Sequence, residues 1–378
     1  MITSFIHYAR NFLILEELRK RSDVDLHIIV GGAALLSKYS SNYAHVKEIL
    51  ESEGFKNIYE THFNLEGDSR VVKAKTAGLG IIEFSLLFNN IQPDVVVIRG
   101  DRFEILSAAT AASYMNIPIA HIEGGDLSGT LDESIRHSIT KLSHIHFSTN
   151  EPAKRRILKM GERNEYVFNF GSPDVEVAQK IAGKNYKLDL SRTGSGAEIN
   201  TDEDFLMVMY HPVNSELDEL KARTRKLLKM INEINIPTIW FWPNFDAGAE
   251  EISHEIRHFK DNTPGHKIRF MRYLPPKEFL TLLKKTKCLI GNSSAGMKES
   301  SYLGTPVINI GNRQNNRLRA ENVIDVEENN DQLVKIIKKQ IKNGSYKPSH
   351  LYSVNNTSKN IARTLATISL YTQKNFVD

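Results

Sequence analysis

The sequence predicts an α/β protein of two Rossmann-like, doubly wound domains that face a cleft. Three observations carry this. Short β-branched runs alternate with amphipathic stretches. The rhythm restarts after a polar stretch around residue 190. The length of 378 residues suits two cores at roughly 100–200 residues each.

In the first half, strands are expected at residues 25–30, 94–98, 118–122, 144–148 and 166–170. The run from Asp94 to Ile98 is continuously apolar after its first residue, as a parallel strand buried on both faces requires. Helices are expected between them at 6–21, 43–52, 69–88, 102–115, 132–142 and 151–160. The second half repeats the pattern, with strands at 205–210, 238–242, 267–271, 288–291 and 306–310. Its helices are expected at 217–234, 249–259, 276–285, 295–303 and 331–342. The polar stretch 184–203, with Gly194, Ser195 and Gly196, reads as a linker or long loop. Residues 357–371 form a last, well-separated helix candidate. The expected division is 1–175 and 176–350, and ligands belong at the carboxyl ends of the strands.

Composition narrows the function. Lys and Arg number 49 against 45 Asp and Glu, a net charge of +4 with no basic run, which argues against nucleic acid. The hydrophobic share is 40% and the charged share 25%, as in ordinary soluble proteins. Cys288 is the single cysteine, so an intrachain disulfide and a multi-cysteine zinc site are excluded. No apolar run approaches the ~18 residues of a membrane span, and no signal-peptide layout opens the chain. The expectation is a cytoplasmic enzyme with no membrane partner. The 13 histidines show no metal-ligand spacing, so no metal is expected.

Candidate chemistry gathers where strands end. Gly100-Asp101-Arg102-Phe103-Glu104 follows one strand, and His121-Ile122-Glu123-Gly124-Gly125-Asp126 closes the next. Asp132 and Glu133 then open a helix, with Arg136 and His137 behind them. Asp101, Glu123, Asp132 and Glu133 are thus expected on one rim, where mutual repulsion suits acid–base work. Asp132 and Glu133 also suit a helix first turn, where the dipole favours acids. In the second half, the run from Gly291 through Ser293, Ser294 and Gly296 to Glu299 reads as a phosphate cradle at a helix start. Glu299 is expected one turn inside, facing ribose hydroxyls. Arg313 and Arg317, four apart after a strand, can clamp a diphosphate. His211 and Asp246 also close strands, and Asp246 is expected to orient His211 or meet the ligand.

Taken together, G-D-R-F-E (100–104), H-I-E-G-G-D (121–126), L-D-E-S-I-R-H-S-I-T-K-L-S-H (131–144), Y-H-P-V-N (210–214), W-P-N-F-D-A-G (242–248), G-N-S-S-A-G-M-K-E (291–299) and G-N-R-Q-N-N-R (311–317) resemble the hydrolysing UDP-N-acetylglucosamine 2-epimerases of sialic-acid-type sugar synthesis. The resemblance runs from about residue 24 to 325. It implies a glycosyltransferase-B-like fold with UDP in the cleft, no cofactor, a homodimer or tetramer, and a last helix (357–371) packed back on the first domain. It implies diphosphate and ribose contacts at Ser293, Ser294, Gly296 and Glu299, and phosphate contacts at Arg313, Arg317 and Arg102. The implied catalytic acids are Asp101, Glu123 and Asp132, with Glu133 adjacent and His211 as the cleft histidine.

The opening of the chain departs from the family pattern. Only the last residues of the family's first strand precede Thr3-Ser4, Phe5 stands where the family carries a phosphate-contacting arginine, and Ala9 replaces a glycine. The expected reaction is elimination of UDP from UDP-N-acetylglucosamine to 2-acetamidoglucal, then addition of water to give N-acetylmannosamine. Three alternatives stand beside it: the same reaction on UDP-N,N'-diacetylbacillosamine, non-hydrolysing epimerisation, and a weakly active nucleotide-sugar-binding regulator.

Overall fold

The computed structural model describes residues 1–35, 46–67, 69–184, 186, 188, 190, 193–213, 215–244 and 246–378, without the side chains of Phe5 and Ile6. The chain divides into two compact units. Unit 1 comprises Met1–Leu127, Leu131–Glu176 and Tyr352–Asp378; unit 2 comprises Ser128–Thr130 and Val177–Leu351.

Unit 1 opens with α1 (Phe5–Arg19), β1 (Ile28–Gly31), α2 (Val46–Ser52), β2 (Ile58–Thr61) and α3 (Arg70–Ile91). Then follow β3 (Val96–Arg99), α4 (Phe103–Tyr114), β4 (Ile119–Ile122), α5 (Leu131–Leu142), β5 (Ile145–Ser148), α6 (Glu151–Lys159) and β6 (Val167–Asn169). α7 (Pro173–Ala182) carries the chain from unit 1 into unit 2. Side-chain caps start several of these helices: Ser4 accepts from His7 N, Ser69 from Val72 N and Asn150 from Ala153 N. The strands β3-β4-β5-β6 form a parallel sheet in that order. Phe84, Phe88, Ile105, Ala108 and Ala112 of α3 and α4 pack in one buried cluster with Ile98 and Ile119. Ile14, Leu18 and Ile361 pack in another with Ile122, Ile145 and Phe147. Helices on both faces explain why Val95–Ile98 reads as an unbroken apolar run.

β1 and β2 form a separate parallel pair. Between β1 and β3 lies a cavity of about 440 Å³, lined by residues that include Leu18, Leu26, Ile28, Phe88, Val95 and Val97. Met1 and Ile2 also line it. Ile2 bridges Val30 in parallel, its N–H donating to Ile29 O at 2.8 Å. The Met1 ammonium donates to Val97 O at 3.1 Å, and burial pulls its pKa from 8.0 to about 6.

Unit 2 contains β7 (Ser195–Gly196), β8 (Leu206–Met209), α8 (Leu220–Ile234), β9 (Thr238–Phe241), α9 (Ala249–Asn262), β10 (Ile268–Met271) and α10 (Pro276–Lys285). After these come β11 (Leu289–Gly291), α11 (Glu299–Leu303), β12 (Val307–Ile310), β13 (Val323–Val326) and α12 (Leu333–Asn343). The sheet order is β13-β12-β11-β8-β9-β10-β7, parallel except for β7 against β10. Trp240, Leu228, Ile231, Ile252 and Ile337 fill one core layer; Met207, Ile239, Leu282, Leu283 and Met297 fill the other. The chain finishes in unit 1 with α13 (Thr357–Thr367).

Several expectations change. The single helix at 295–303 is broken: a 3₁₀ turn spans Ser294–Gly296, and α11 starts only at Glu299, after Lys298 with ψ −77°. Glu299 is therefore the first residue of a helix, not one turn inside it. The last helix stops at Thr367 rather than residue 371, because Ile368 is extended. Beyond it, the Tyr371 hydroxyl donates to His144 O and Lys374 bonds Glu162, which requires an unwound chain. Of the helix expected at 43–52, residues 43–45 lie outside the described residues. The loop 184–203, of which five residues are likewise outside them, contains β7.

Candidate active site

In unit 1, the ends of β3 and β4 and the start of α5 present the acids. The turn after β4 is tightly constrained. A Cβ on Gly124 would lie 2.9 Å from Thr140 Oγ1, and one on Gly125 would lie 2.4 Å from Ala153 O at φ +76°. Glu123 itself holds φ +73°, an uncommon conformation for a non-glycine residue and one that often marks functional sites. Its N–H donates to Phe147 O at 2.9 Å, and its Oε1 accepts from Arg99 at 3.0 Å.

Asp101 accepts from Arg136, whose guanidinium is buried and also donates to Asp126 O at 2.7 Å. The pKa of Arg136 stays above its ordinary value; burial opposes its charge, but Asp101, Asp126 and Asp132 outweigh that. Asp126 is a structural anchor, accepting from Asn150 Nδ2 at 2.8 Å. Arg102 is held by the fully buried Glu104 at 3.1 and 3.2 Å. Glu133 lies 4.0 Å from His137, one turn along α5. His121, set beside the rim acids in the sequence, is instead a buried strand residue. Its Nε2 bonds Gly100 O at 2.9 Å, so that nitrogen carries the proton, and burial drives its pKa down to about 3.

Two neighbours escaped the sequence reading. Arg99 ends the apolar strand β3 at 2% exposure, bonded to Glu123 and Asp174. A cation closing a strand buried on both faces needs carboxylate partners, and that was the available signal. His7, on the first turn of α1, is buried with Nδ1 3.0 Å from Thr3 Oγ1. Burial first, then Arg102, Arg99 and Arg10, lower its pKa to about 3. The Phe5 side chain, on which the N-terminal departure turns, lies outside the described residues.

In unit 2, Asn292 organises the site. Its Oδ1 accepts from His211 N at 2.8 Å and its Nδ2 donates to His211 O at 2.9 Å. Its carbonyl accepts from Arg313 Nη1 at 3.2 Å and Gln314 Nε2 at 2.9 Å. One side chain and its backbone thus bind the end of β8 to the loop after β12. The Asn244 N–H donates to His211 Nδ1 at 3.2 Å. His211 Nδ1 is therefore the acceptor and Nε2 carries the proton. Burial, with Arg313 nearby, drives its pKa down to about 3, so it is a neutral donor at physiological pH. Asp246 accepts from Asn244 Nδ2 and lies 3.8 Å from Arg313. Phe245 and Asn214, inside the two motifs, lie outside the described residues.

Ser293 caps the 3₁₀ turn, accepting from Ala295 N at 3.3 Å, and Ser294 opens that turn. Gly296 is required by packing, since a Cβ would lie 2.9 Å from Val307 Cγ1. Glu299 is buried at the head of α11. Arg317 is turned onto Gln314 Oε1 at 3.0 Å rather than standing as Arg313's twin. Ser128–Thr130 belong to this unit as well, and Gly129 N donates to Arg313 O at 3.2 Å. Among the described residues no group of three His, Cys, Asp or Glu side chains could hold a metal ion, and no helix is long and apolar enough to cross a membrane.

The family model for UDP-N-acetylglucosamine 2-epimerase matches residues 16–366. The chain belongs to that family. It is similar to the hydrolysing UDP-N,N'-diacetylbacillosamine 2-epimerase of Legionella pneumophila, at 32% identity over 95% of this chain and 93% of that protein. The hydrolysing GDP/UDP-N,N'-diacetylbacillosamine 2-epimerase of Campylobacter jejuni is 36% identical over 84% and 80%. The UDP-N-acetylglucosamine 2-epimerase of Neisseria meningitidis is 30% identical over 97% and 94%. The fold is likewise similar to the crystal structure of the Neisseria meningitidis enzyme bound to UDP-GlcNAc, with TM-score 0.75, 16% identity and coverage of 96% and 98%. The family's glycosyltransferase-B-like fold of two Rossmann-like units accounts for both parallel sheets, and the chain is a sugar-nucleotide 2-epimerase.

Proposed function

We propose that this chain is a hydrolysing 2-epimerase of a UDP-linked 2-acetamido sugar. The observation that carries the reading is the set of rim carboxylates, Asp101 held by Arg136 and Glu123 held by Arg99. The C2 proton of such a sugar is not acidic enough for a free carbanion. Its removal by a carboxylate therefore accompanies cleavage of the C1–O bond, with the electron pair leaving on UDP. The product is a 2-acetamidoglucal. Water then adds its oxygen to C1, and a carboxylic acid delivers a proton to C2 from the opposite face. One carboxyl group must be ionised and another protonated, so two acids are the minimum. Asp101, Glu123 and Asp132 are assigned to these steps.

In the same reading, Ser293, Ser294, Glu299, Arg313 and Arg317 hold UDP. Arg102 assists at the phosphates, and His211 donates its Nε2 proton to an oxygen of the leaving group. A neutral donor stabilises the departing diphosphate without competing for the C2 proton. The Legionella pneumophila and Campylobacter jejuni relatives, at 32% and 36% identity, support UDP-N,N'-diacetylbacillosamine as substrate. The Neisseria meningitidis relative, matched over nearly its whole length, supports UDP-N-acetylglucosamine as the second reading.

The test is incubation with each sugar nucleotide in heavy water, followed by proton NMR. The expected product is the free C2-inverted sugar, deuterated at C2, with release of UDP. A UDP-linked product would establish non-hydrolysing epimerisation instead. Binding of both nucleotides with no turnover would overturn the enzymatic reading and leave a nucleotide-sugar-binding regulator.

A further inference from the structure

We propose that Arg99 and Asp174 are positioning residues for Glu123, fixing the carboxylate that faces the C2 proton. The inference rests on the epimerase reading above. Arg99 Nη2 bonds Glu123 Oε1 at 3.0 Å and Asp174 Oδ1 at 2.5 Å. Its Nη1 donates to Arg10 O at 2.6 Å and lies 3.5 Å from Asn11 Oδ1. The Arg10 guanidinium stands 3.6 Å from Asp174. The cluster therefore joins the end of β3, the turn after β4, the first turn of α7 and the middle of α1. Its charges balance, two arginines against two carboxylates.

Such a cluster is a poor way to stabilise a core. Arg99 and Asp174 side chains are 2% and 1% exposed, and desolvation of this order commonly costs as much as the pairing returns. Arg99 Nε and Asp174 Oδ2 are buried without hydrogen-bond partners, so the cluster is not optimised as a structural plug. Glu123 is the most exposed of the three, at 9% for its side chain, and the one held at positive φ. The two more deeply buried charges thus support the most accessible carboxylate of the three. Its backbone is pinned by Phe147 O and its head by Arg99, as a proton acceptor needs if it is to meet one C–H bond. Removing Arg99 takes away the counter-charge, so Glu123 protonates at higher pH and the acid limb of kcat moves toward neutrality.

The experiment uses the full chain. Arg99→Met removes the anchor. The double variant Arg99→Met/Asp174→Leu removes both buried charges together and so avoids leaving Asp174 unpaired if the single variant folds poorly. In each, kcat is expected to fall by about 10²-fold or more with KM nearly unchanged, and the acid limb is displaced upward in Arg99→Met. Arg99→Lys is expected to recover part of kcat. Separately, the δ-carbon of Glu123 is followed by ¹³C NMR without substrate, its signal assigned by Glu123→Gln. Its titration midpoint is expected to rise by about one pH unit or more in Arg99→Met, and by less in the double variant, which also loses the Asp174 charge. Coincident titrations in variant and parent protein would overturn the positioning role, whatever the turnover. A displaced titration in a chain that turns over no sugar nucleotide would overturn the epimerase reading alone.

Discussion

Glu162 offers the sharpest quantitative test of the C-terminal contacts of unit 1. Its side chain is 2% exposed and accepts from His146 Nε2 at 3.0 Å, Lys141 Nζ at 2.8 Å and Lys374 Nζ at 2.7 Å. Burial alone would raise its pKa. The three donors outweigh burial and hold the carboxyl at about 2 against 4.5. At 1.36 kcal/mol per pH unit, that fall is worth about 3 kcal/mol. Lys141 is 42% exposed and screened by solvent, so roughly 2 kcal/mol is the expected contribution. The folded-state value is depressed. The contribution is therefore complete above pH 4.5 and lost as pH falls toward about 2. Glu162→Gln should thus destabilise the protein by about 2 kcal/mol at pH 7. Roughly half of that difference should vanish by about pH 3. Urea denaturation of both proteins across this range, read by circular dichroism, measures it. A difference that stays constant from pH 7 to pH 3 would refute the electrostatic account and leave packing as the cause.

The other predictions concern the site and the N-terminus. Asp101→Asn, Glu123→Gln and Asp132→Asn should each lower kcat by ~10²–10⁴-fold with UDP affinity nearly intact, checked by steady-state kinetics beside calorimetry. Near-normal turnover in all three would remove the acid–base assignment. Arg313→Ala and Glu299→Ala should weaken UDP binding by roughly 1.5–3 kcal/mol, and unchanged calorimetric affinity in both would place the nucleotide elsewhere. Phe5→Arg should raise turnover, measured by the same kinetics, because it places a cation where the family pattern has one; unchanged turnover would show that Arg102, Arg313 and Arg317 suffice.

Much of the architecture could be read from local pattern because buried parallel strands are apolar on both faces. Thr238–Phe241 and Ile268–Met271 lie where their runs place them. β2 and β13 went unread because Glu60 and Asp325 interrupt their short apolar runs. α7 was hidden behind Gly171-Ser172-Pro173, which looks like a turn but places proline at a helix start. Residue type and place at a strand end were enough to single out Glu123, His211 and Arg313 as candidates. The bonds across the fold that hold them were not legible. Nothing local shows that Asn292 ties His211 to Arg313, or that the Asn244 N–H sets the imidazole tautomer.

The cavity between β1 and β3 bears on how the backbone of unit 1 exchanges with solvent. Successive N–H groups along a strand point to opposite neighbours. Val96 N donates to Pro118 O, beside β4, so the N–H groups of Val95 and Val97 point the other way, toward the cavity. On the far side, Ile2 bridges Val30 of β1. In deuterium oxide these amides should take up label through small local openings, long before the β4–β5 ladder does. The fastest-exchanging strand backbone of unit 1 would then lie in the middle of its row of strands, next to Gly100 and Asp101, rather than at a frayed outer rim. Slow uptake at Val95 and Val97, matching β4, would show that side chains seal the cavity as well as a strand could.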